Sequence, residues 1–308
     1  MIPSAYIQEW SATTPWPDPR QVEQDLIICR ALCDIFNESF LAERLAFRGG
    51  TAINKLLFRA PLRYSEDIDL VQARAEPIGE TVDAIRRALS WLGPCRRKTA
   101  AHSTHLIFAF TPEAESGAPL KLKVEINTRE HGNVLGVRTY PFAVHNSWYD
   151  GSTSLSSFEP EELFATKLRA LLQRRKNRDL FDLNEGLLQL HLDPDKLVAC
   201  FGRYLAAEGH PITRAMAEER MLAKLTRSLT DDIAPLLSAN VEYGAADAQS
   251  AFERVWFRLI TRLHGAAWHR SDAVIAELRA SSYGGIYLRH TSLRTSGRWS
   301  PFAPFAPA

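Results

Sequence analysis

The first strong pattern along the chain is a series of apolar residues spaced alternately four and three positions apart. Its members are Val22, Leu26, Cys29, Cys33, Phe36 and Phe40. This spacing places them on one face of a helix, so the sequence predicts a long amphipathic helix in this region. A second amphipathic helix is predicted at 78–92, and a short helix is predicted to begin at Thr51, after Gly49-Gly50.

Period-two alternation and short apolar runs predict strands in the first half of the chain. The runs are "DIDLV" (67–71), "THLIFAFT" (104–111), "LKLKVEINT" (120–128) and "VLGVRTYPF" (134–142). In the first run, Asp67 and Asp69 share one side of the strand, opposite the apolar residues. The second run is apolar at nearly every position, which predicts a buried central strand. The third alternates strictly and places Glu125 on its polar side.

Beyond about residue 155 the pattern becomes helical almost throughout. The run 159–176 predicts a helix with Pro160 in its first turn. Further helical stretches are predicted near 179–190, 194–207, 212–228, 247–263 and 271–280. This division predicts an α+β fold, with a mixed sheet core and flanking helices in a domain at 1–155 and a helical domain at 156–308. The proline-rich end, "SPFAPFAPA", is predicted to be disordered or loosely packed.

Composition narrows the class of protein without choosing a function. With 45% apolar and 24% charged residues, the 308-residue chain is typical of a soluble globular protein. No apolar run reaches the roughly 18 residues that a membrane span needs, and no signal peptide is visible, so we expect a cytoplasmic location. The four scattered cysteines predict core packing. A net charge of +1 leaves any nucleic-acid binding to local basic patches at 86–98, at 174–178 and in the C-terminal tail.

Acidic residues are the first candidates for chemistry. Asp67 and Asp69 lie at i and i+2 of one strand, so their repulsion would favour a cation between them. Oxygen ligands without soft neighbours favour Mg²⁺, although two solvated aspartates at a strand end fit the same pattern. Glu125, between Lys121 and Lys123, is either a third acid of the site or one member of an exposed, salt-bridged strand face.

Glycines and a lysine form the second group of candidates. Gly49-Gly50-Thr51 before a helix is either an ordinary turn or a phosphate site, in which backbone N–H groups and the Thr51 hydroxyl would donate. Lys167 lies on a partly apolar helix face, so it is either a surface lysine or a clamp for nucleotide phosphates. Asp182 follows it in "NRDLFDL".

Taken in order, these motifs resemble the nucleotidyltransferase superfamily and, more specifically, the AbiEii (MenT) family of nucleotidyltransferase toxins. The resemblance rests on Gly-Gly-Thr-Ala … Arg-x-Ser-x-Asp-x-Asp-Leu, on a later acid, and on a lysine helix followed by Arg-Asp-x-x-Asp-Leu. It covers roughly residues 45–190. The matching residues are Gly49, Gly50, Thr51, Ala52, Arg63, Ser65, Asp67, Asp69, Leu70, Glu125, Lys167 and Asp182.

The resemblance implies a fold, an activity and a set of roles. It implies a nucleotidyltransferase-type core followed by a helical domain, and Mg²⁺-dependent transfer of a nucleotide from NTP. In some members the acceptor is the 3′ end of tRNA, which blocks translation, and an antitoxin is encoded nearby. The implied roles are metal binding for Asp67 and Asp69, nucleotide binding for Gly49, Gly50, Thr51, Arg63 and Ser65, and catalysis for Asp67, Asp69, Lys167, Asp182 and Glu125.

Two other interpretations of the sequence stay open. One is a nucleotidyltransferase that acts on a protein or small-molecule hydroxyl instead of RNA. The other is a non-catalytic module that binds a nucleotide or a partner protein. Such a module has no need for paired acids, so Asp67 and Asp69 speak against it.

Overall fold

The protein is built around a single seven-stranded mixed sheet. The computed structural model describes residues 2–113 and 119–280. The strands are β1 (Leu45–Arg48), β2 (Asp67–Gln72), β3 (Cys95–Thr99), β4 (Ser103–Phe110), β5 (Leu120–Asn127), β6 (Val137–Asn146) and β7 (Tyr149–Phe158). Their order in the sheet is β3-β4-β5-β2-β1-β7-β6, so the strands that carry Asp69 and Glu125 are direct neighbours.

Helices flank the sheet and, with the loops that connect them, form the described chain after β7. They are α1 (Ser4–Ser11), α2 (Pro19–Asn37), α3 (Ser39–Ala42), α4 (Gly49–Leu56), α5 (Gly79–Ala88), α6 (Pro160–Gln173), α7 (Arg178–Gln189), α8 (Pro194–Glu208), α9 (Arg214–Lys224), α10 (Ala245–Arg258) and α11 (Ser271–Ala280). Pro160 stands in the first turn of α6, as predicted, where its missing N–H has no partner to lose. The predicted mixed sheet core with flanking helices, followed by helices, is confirmed.

The strand predictions need two corrections. The run 104–111 forms β4, but β4 lies second from the edge, because the basic stretch at 95–99 forms the edge strand β3. The apolar residues of β4 lie on both faces of the sheet. Burial alternates along most of the strand, so one face is closed and the other is partly open. β7 was not predicted, because its serine- and glycine-rich sequence has no strong period-two pattern. It ends at Phe158, beyond the predicted domain boundary at residue 155.

The two faces of the sheet differ in what covers them. On one face, β4, β5 and β2 present buried apolar side chains that pack against α2 and α5. On the other face, the same strands present partly exposed polar side chains, among them Asp67, Asp69 and Glu125. A second apolar cluster is formed mainly by α6 to α10 and reaches the sheet through Ala46 and Phe158. The open face of the sheet and the helical part together leave a cleft.

The helix lengths and the cysteine positions bear on two further predictions. Within the described residues, no helix is both long enough and apolar enough to cross a bilayer. The four cysteines are free thiols, and Cys29, Cys33 and Cys200 are buried, as core packing requires. The prediction for the proline-rich end falls outside the described residues.

Candidate active site

The acidic residues of β2 and β5 lie side by side on the open face of the sheet. β2 and β5 are parallel, and Asp69 is paired with Glu125 while Asp67 is paired with Lys123. Directly paired residues of neighbouring strands project to the same face, so the register brings together side chains that are far apart in sequence. The register therefore gathers Asp67, Asp69 and Glu125 on this face of the sheet.

Lys123 lies between two of these acids. Its Nζ is 2.8 Å from Asp67 Oδ2 and 3.2 Å from Glu125 Oε2. In the described part of the chain, no three His, Cys, Asp or Glu side chains converge closely enough to hold a metal ion together. The salt-bridged strand face that the sequence left open is thus present, and it contains the same residues as the proposed site.

The electrostatic surroundings of the acids differ. Burial, and then the negative charges of Asp67 and Glu125, raise the pKa of Asp69. Burial also raises the pKa of Asp67, although Lys123 partly opposes this effect. Burial would raise the pKa of Glu125 as well, but Lys123 and His105 outweigh it and hold the pKa of this carboxyl below its usual value. Glu125 is therefore the acid most favoured as a carboxylate.

The glycine pair allows α4 to begin directly against the acids. Gly49 has φ +82°, a conformation that favours glycine. A Cβ atom on Gly49 would lie 2.0 Å from Asp69 Oδ2, and one on Gly50 would lie 2.5 Å from Arg63 Nη2. The pair thus explains how the backbone N–H groups at the start of α4 come next to Asp69. This is the close approach that the phosphate-site prediction requires.

Thr51 lies beneath the cleft and does not line it. It is only 1% exposed, and its hydroxyl donates to the carbonyl oxygen of Asp67 at 2.5 Å and contacts Ser65 Oγ at 2.9 Å. The predicted hydroxyl donor to phosphate is therefore used inside the protein, where it holds the beginning of β2 against α4. Ser65 itself lines the cleft.

Lys167 is buried in an ion-pair cluster, which excludes a surface lysine. Its Nζ is 3.1 Å from Asp179 Oδ1 and 2.8 Å from Asp182 Oδ2. Asp182 also accepts two hydrogen bonds from Arg63, from Nε at 2.6 Å and from Nη2 at 2.7 Å. Arg63 and Asp182 are 2% and 1% exposed, so Arg63, to which the resemblance assigns nucleotide binding, is held in a buried structural pair.

The cluster is held in its charged form. Burial alone would raise the pKa of Asp182, but the charges of Arg63 and Lys167 lower it to about 2. Asp182 itself does not line the cleft, but it fixes the positions of Arg63 and Lys167, which border the cleft together with Asp179. Lys167, from the predicted Lys167–Asp182 motif, lines the same cleft as the glycine and aspartate motifs. The two motifs, which are far apart in sequence, therefore meet in the fold.

This cleft has a volume of about 960 Å³ and lies between the sheet and the helices. Its floor carries the acids, and its walls carry many basic side chains. Those basic residues are Arg48, Arg63, Lys123, Arg129, Lys167, Arg169, Arg174, Arg178 and Arg203. A cleft of this size with an acidic floor and basic walls suits a polyphosphate that carries a cation.

Three site residues were not singled out from the sequence. Asp179 precedes Asp182 by one helical turn in "RDLFDL", a spacing that puts both on one face of α7. One oxygen of Asp179, Oδ2, is buried and has no hydrogen-bond partner in the described structure. Lys123 was considered only as a neighbour of Glu125. Arg48 gave no signal, because its place at the end of β1 follows from the strand pairing with Asp69.

Comparisons with known proteins agree with this geometry. A family model described as "Nucleotidyl transferase AbiEii toxin, Type IV TA system" matches residues 30–256. The solved nucleotidyltransferase toxin MenT4 of Mycobacterium tuberculosis H37Rv is similar over 93% of this chain and 98% of its own, with 17% identity and a TM-score of 0.61. JHP933 from Helicobacter pylori is similar over 85% of this chain and 98% of its own, with 15% identity and a TM-score of 0.50.

At these identities the two solved structures show a shared fold only. Among curated proteins, none matches the chain in sequence. The family model, however, spans most of the chain and includes the glycine, aspartate and lysine motifs that border the cleft. The chain therefore belongs to the AbiEii family of nucleotidyltransferase toxins from toxin–antitoxin systems, and it is a nucleotidyltransferase.

Proposed function

We propose that this nucleotidyltransferase transfers a nucleotide from an NTP to the 3′ hydroxyl at the acceptor end of tRNA, with Mg²⁺, and thereby blocks translation. The observation that carries the proposal is the meeting of two motifs in one cleft. Asp67 and Asp69 come from the sheet, and Lys167 comes from the helical part more than a hundred residues away along the sequence. Acids for a metal and a lysine for phosphate are the parts that nucleotidyl transfer needs.

The first role is to hold the triphosphate. In the proposal, the backbone N–H groups of Gly49 and Gly50 donate to the outer phosphates, because both residues stand at the start of α4 and line the cleft. Lys167 faces the same space and stabilises negative charge on the departing pyrophosphate. In this proposal Asp182 and Arg63 do not contact the substrate, and their role is to fix Lys167 in position.

The second role is to hold Mg²⁺, for which Asp67 and Asp69 are the proposed ligands. Mg²⁺ in phosphoryl-transfer sites is usually held by one or two carboxylates together with substrate phosphates, so a pair of acids is a suitable donor set. The Lys123 ammonium lies 2.8 Å from Asp67 Oδ2, so this carboxylate already pairs with a positive charge, which supports the fit. When bound, Mg²⁺ would neutralise phosphate charge and act as a Lewis acid.

The third role is to activate the acceptor. Glu125 is the acid most favoured as a carboxylate, and it stands on the strand next to Asp69. We assign it as the group that accepts the proton of the attacking hydroxyl. Glu125 lines the cleft, and its carboxylate is held in place by Lys123 Nζ at 3.2 Å and His105 Nε2 at 3.4 Å, which supports the assignment.

A label-transfer assay tests the proposal. Purified protein is incubated with each α-³²P-labelled NTP, Mg²⁺ and, in separate reactions, total tRNA, total protein or no macromolecule. We expect label on tRNA with the wild-type protein and loss of transfer by at least about a hundredfold for Asp67→Asn, since the substitution removes a charge that holds the metal. Asp83→Asn is the matched control, because the Asp83 side chain is 61% exposed on α5.

The outcomes separate the candidate functions. Label on protein alone would overturn the tRNA acceptor in favour of a protein hydroxyl. Binding of NTP in calorimetry without transfer to any acceptor would contradict an active enzyme. Full activity of Asp67→Asn would refute the metal ligands. Relief of growth arrest by a gene encoded beside this one would support the proposed antitoxin partner.

A further inference from the structure

Beyond the acids, the open face of the sheet continues as a row of basic side chains to its edge. Strand pairing places Lys98 opposite His105, His105 opposite Glu125, and Glu125 opposite Asp69. A parallel row places Arg96 opposite Ile107, Ile107 opposite Lys123, and Lys123 opposite Asp67. Because paired residues share a face, Lys98 and Arg96 lie on the same side of the sheet as the reactive centre.

The edge strand β3 is basic on both of its faces, but only one face leads to the site. Arg97 is paired with buried Leu106 and Cys95 with buried Phe108, so Arg97 lies on the face that α2 and α5 cover. Arg96, Arg97 and Lys98 are all exposed. Within the described residues, neither Arg96 nor Lys98 forms a salt bridge or a side-chain hydrogen bond, whereas Lys123 is occupied by the acids.

Arg96 and Lys98 have no protein partner among the described residues on this face, so they either bind a ligand of negative charge or are solvated. Two features favour a ligand. Arg96 and Lys98 stand in line with the acids across the sheet, and partly buried Ile107 provides an apolar patch between Arg96 and Lys123. A single strand of nucleic acid is an extended polyanion with charged phosphates and flat apolar bases. Its chemistry therefore matches a face that carries both basic side chains and an apolar patch.

The direction of the row identifies which substrate it suits. The glycine pair and Arg48 lie on the β1 side of Asp69, whereas Glu125, His105 and Lys98 lie on the opposite side. The nucleotide triphosphate therefore occupies the β1 side, and the attacking hydroxyl reaches the centre past Glu125. Neighbouring strands are about 4.8 Å apart, so Lys98 is roughly 14 Å from Asp69, a distance that a few nucleotides span.

We propose that Arg96 and Lys98 on β3 bind the phosphates of the acceptor RNA immediately upstream of its 3′ hydroxyl. This inference rests on the proposed function, in which RNA is the acceptor. Within the basic patch at 86–98, it assigns RNA binding to Arg96 and Lys98, which lie on the site face of β3, and not to Arg97 on the opposite face. The phosphate contacts position the strand and carry no base specificity.

The test compares two double variants of the full-length protein that lose the same charge. Arg96→Ala/Lys98→Ala removes the cations on the site face. Arg87→Ala/Arg97→Ala removes two exposed cations on the helix-covered side of the same region. Steady-state transfer is measured with varied tRNA at saturating NTP, and with varied NTP at saturating tRNA. Binding of a fluorescein-labelled single-stranded RNA with a free 3′ hydroxyl is followed by anisotropy over a series of salt concentrations.

For Arg96→Ala/Lys98→Ala we expect the KM for tRNA to rise about tenfold, with kcat and the KM for NTP changed by less than about twofold. The slope of log Kd against log salt should fall by about 1.4, or about 0.7 for each lost phosphate contact on a single strand. Arg87→Ala/Arg97→Ala should behave as the wild type. These results together support the assignment.

Other results overturn it, and they are separable from failure of the proposed function. Equal effects of the two double variants would show a general charge effect with no site on β3. A rise in the KM for NTP alone would place the nucleotide on this strand. If the wild-type protein transfers label to no RNA, the proposed function fails first. Unchanged salt-dependent RNA binding by Arg96→Ala/Lys98→Ala would then also refute the inference, independently of turnover.

Discussion

At the scale of single residues, the tightest packing in the site is between the backbone of Gly49 and the side chain of Asp69. The two residues come from α4 and β2, and they are in contact because Gly49 has no side chain. Its positive φ adds a second reason for glycine, since most other residues are strained there. The acid that we propose as a metal ligand and the backbone that we propose as the phosphate site are thus brought together by one missing Cβ atom.

Gly49→Ala should therefore disable the enzyme while the fold persists. The added methyl group would meet the Asp69 carboxylate, and displacing a catalytic group by about 1 Å costs on the order of a hundredfold in rate. Transfer of label to tRNA measures the loss, and circular dichroism checks the fold. Gly79→Ala is the control, because a Cβ at this other helix-starting glycine would meet no atom within 4 Å. Wild-type activity of Gly49→Ala would contradict the packing argument.

At the scale of elements, one buried glutamate ties a wall of the cleft to the helical part. Glu162 on α6 accepts hydrogen bonds from the backbone N–H groups of Val134 and Leu135, both at 2.8 Å, and from the Tyr204 hydroxyl at 2.6 Å. The loop before β6 and helix α8 are thereby held to the same side chain. Residues 129–134 of this loop line the cleft.

Glu162→Gln should destabilise the protein by about 1–3 kcal/mol, because an amide N–H₂ would face a buried N–H or hydroxyl donor. Urea unfolding measures the change in the free energy of unfolding. Glu161→Gln is the matched control on the neighbouring position, where the carboxylate makes only contacts at 3.5 Å, and it should change stability by less than about 0.5 kcal/mol. Equal stabilities of the two variants would show that Glu162 does not hold the loop.

At the scale of the whole molecule, the Arg63–Asp182–Lys167 cluster joins the two parts of the chain. Arg63 precedes β2 and is buried, and Asp182 and Lys167 belong to α7 and α6. A buried ion pair contributes little against a well-packed apolar pair, but breaking it leaves an uncompensated buried charge. The cluster is therefore expected to control stability as well as the position of Lys167.

Arg63→Met should destabilise the protein by about 3–5 kcal/mol, since Asp182 would lose its main partner. The pH dependence gives a second readout. The pKa of Asp182 falls from 3.8 to about 2 on folding, so the unfolded state binds more protons in this window and stability decreases as pH falls from about 4 to about 2. In Arg63→Met this dependence should weaken, because the lowering charge is gone.

Urea unfolding at several pH values checks both effects. The double variant Arg63→Met/Asp182→Leu serves as the comparison, because it removes both charges, and it should recover much of the lost stability. If the single variant were as stable as the wild type, or kept the wild-type pH profile, the cluster would not link the two parts of the molecule.

Much of the fold and part of the site were predictable, for identifiable reasons. Helices α2 and α6 to α11 follow from spacing and from Pro160, which are local signals. Asp67, Asp69, Glu125 and Lys167 were found because their motifs survive in order along the chain. Edge strand β3 and strand β7 were missed, because neither has an apolar period; each exists through its pairing with a neighbour.

By itself, the sequence determined most of the helices, strands β2, β4, β5 and β6, the family and the acids, since these depend on spacing within short segments. The tertiary structure alone decided which groups are free to act. Register placed Glu125 beside Asp69, and burial turned Arg63 and Thr51 inward to structural partners. The tertiary structure also brought Asp179 to the cleft and placed Arg96 and Arg97 on opposite faces of the sheet. Such outcomes depend on contacts between distant segments, whose geometry no local pattern encodes.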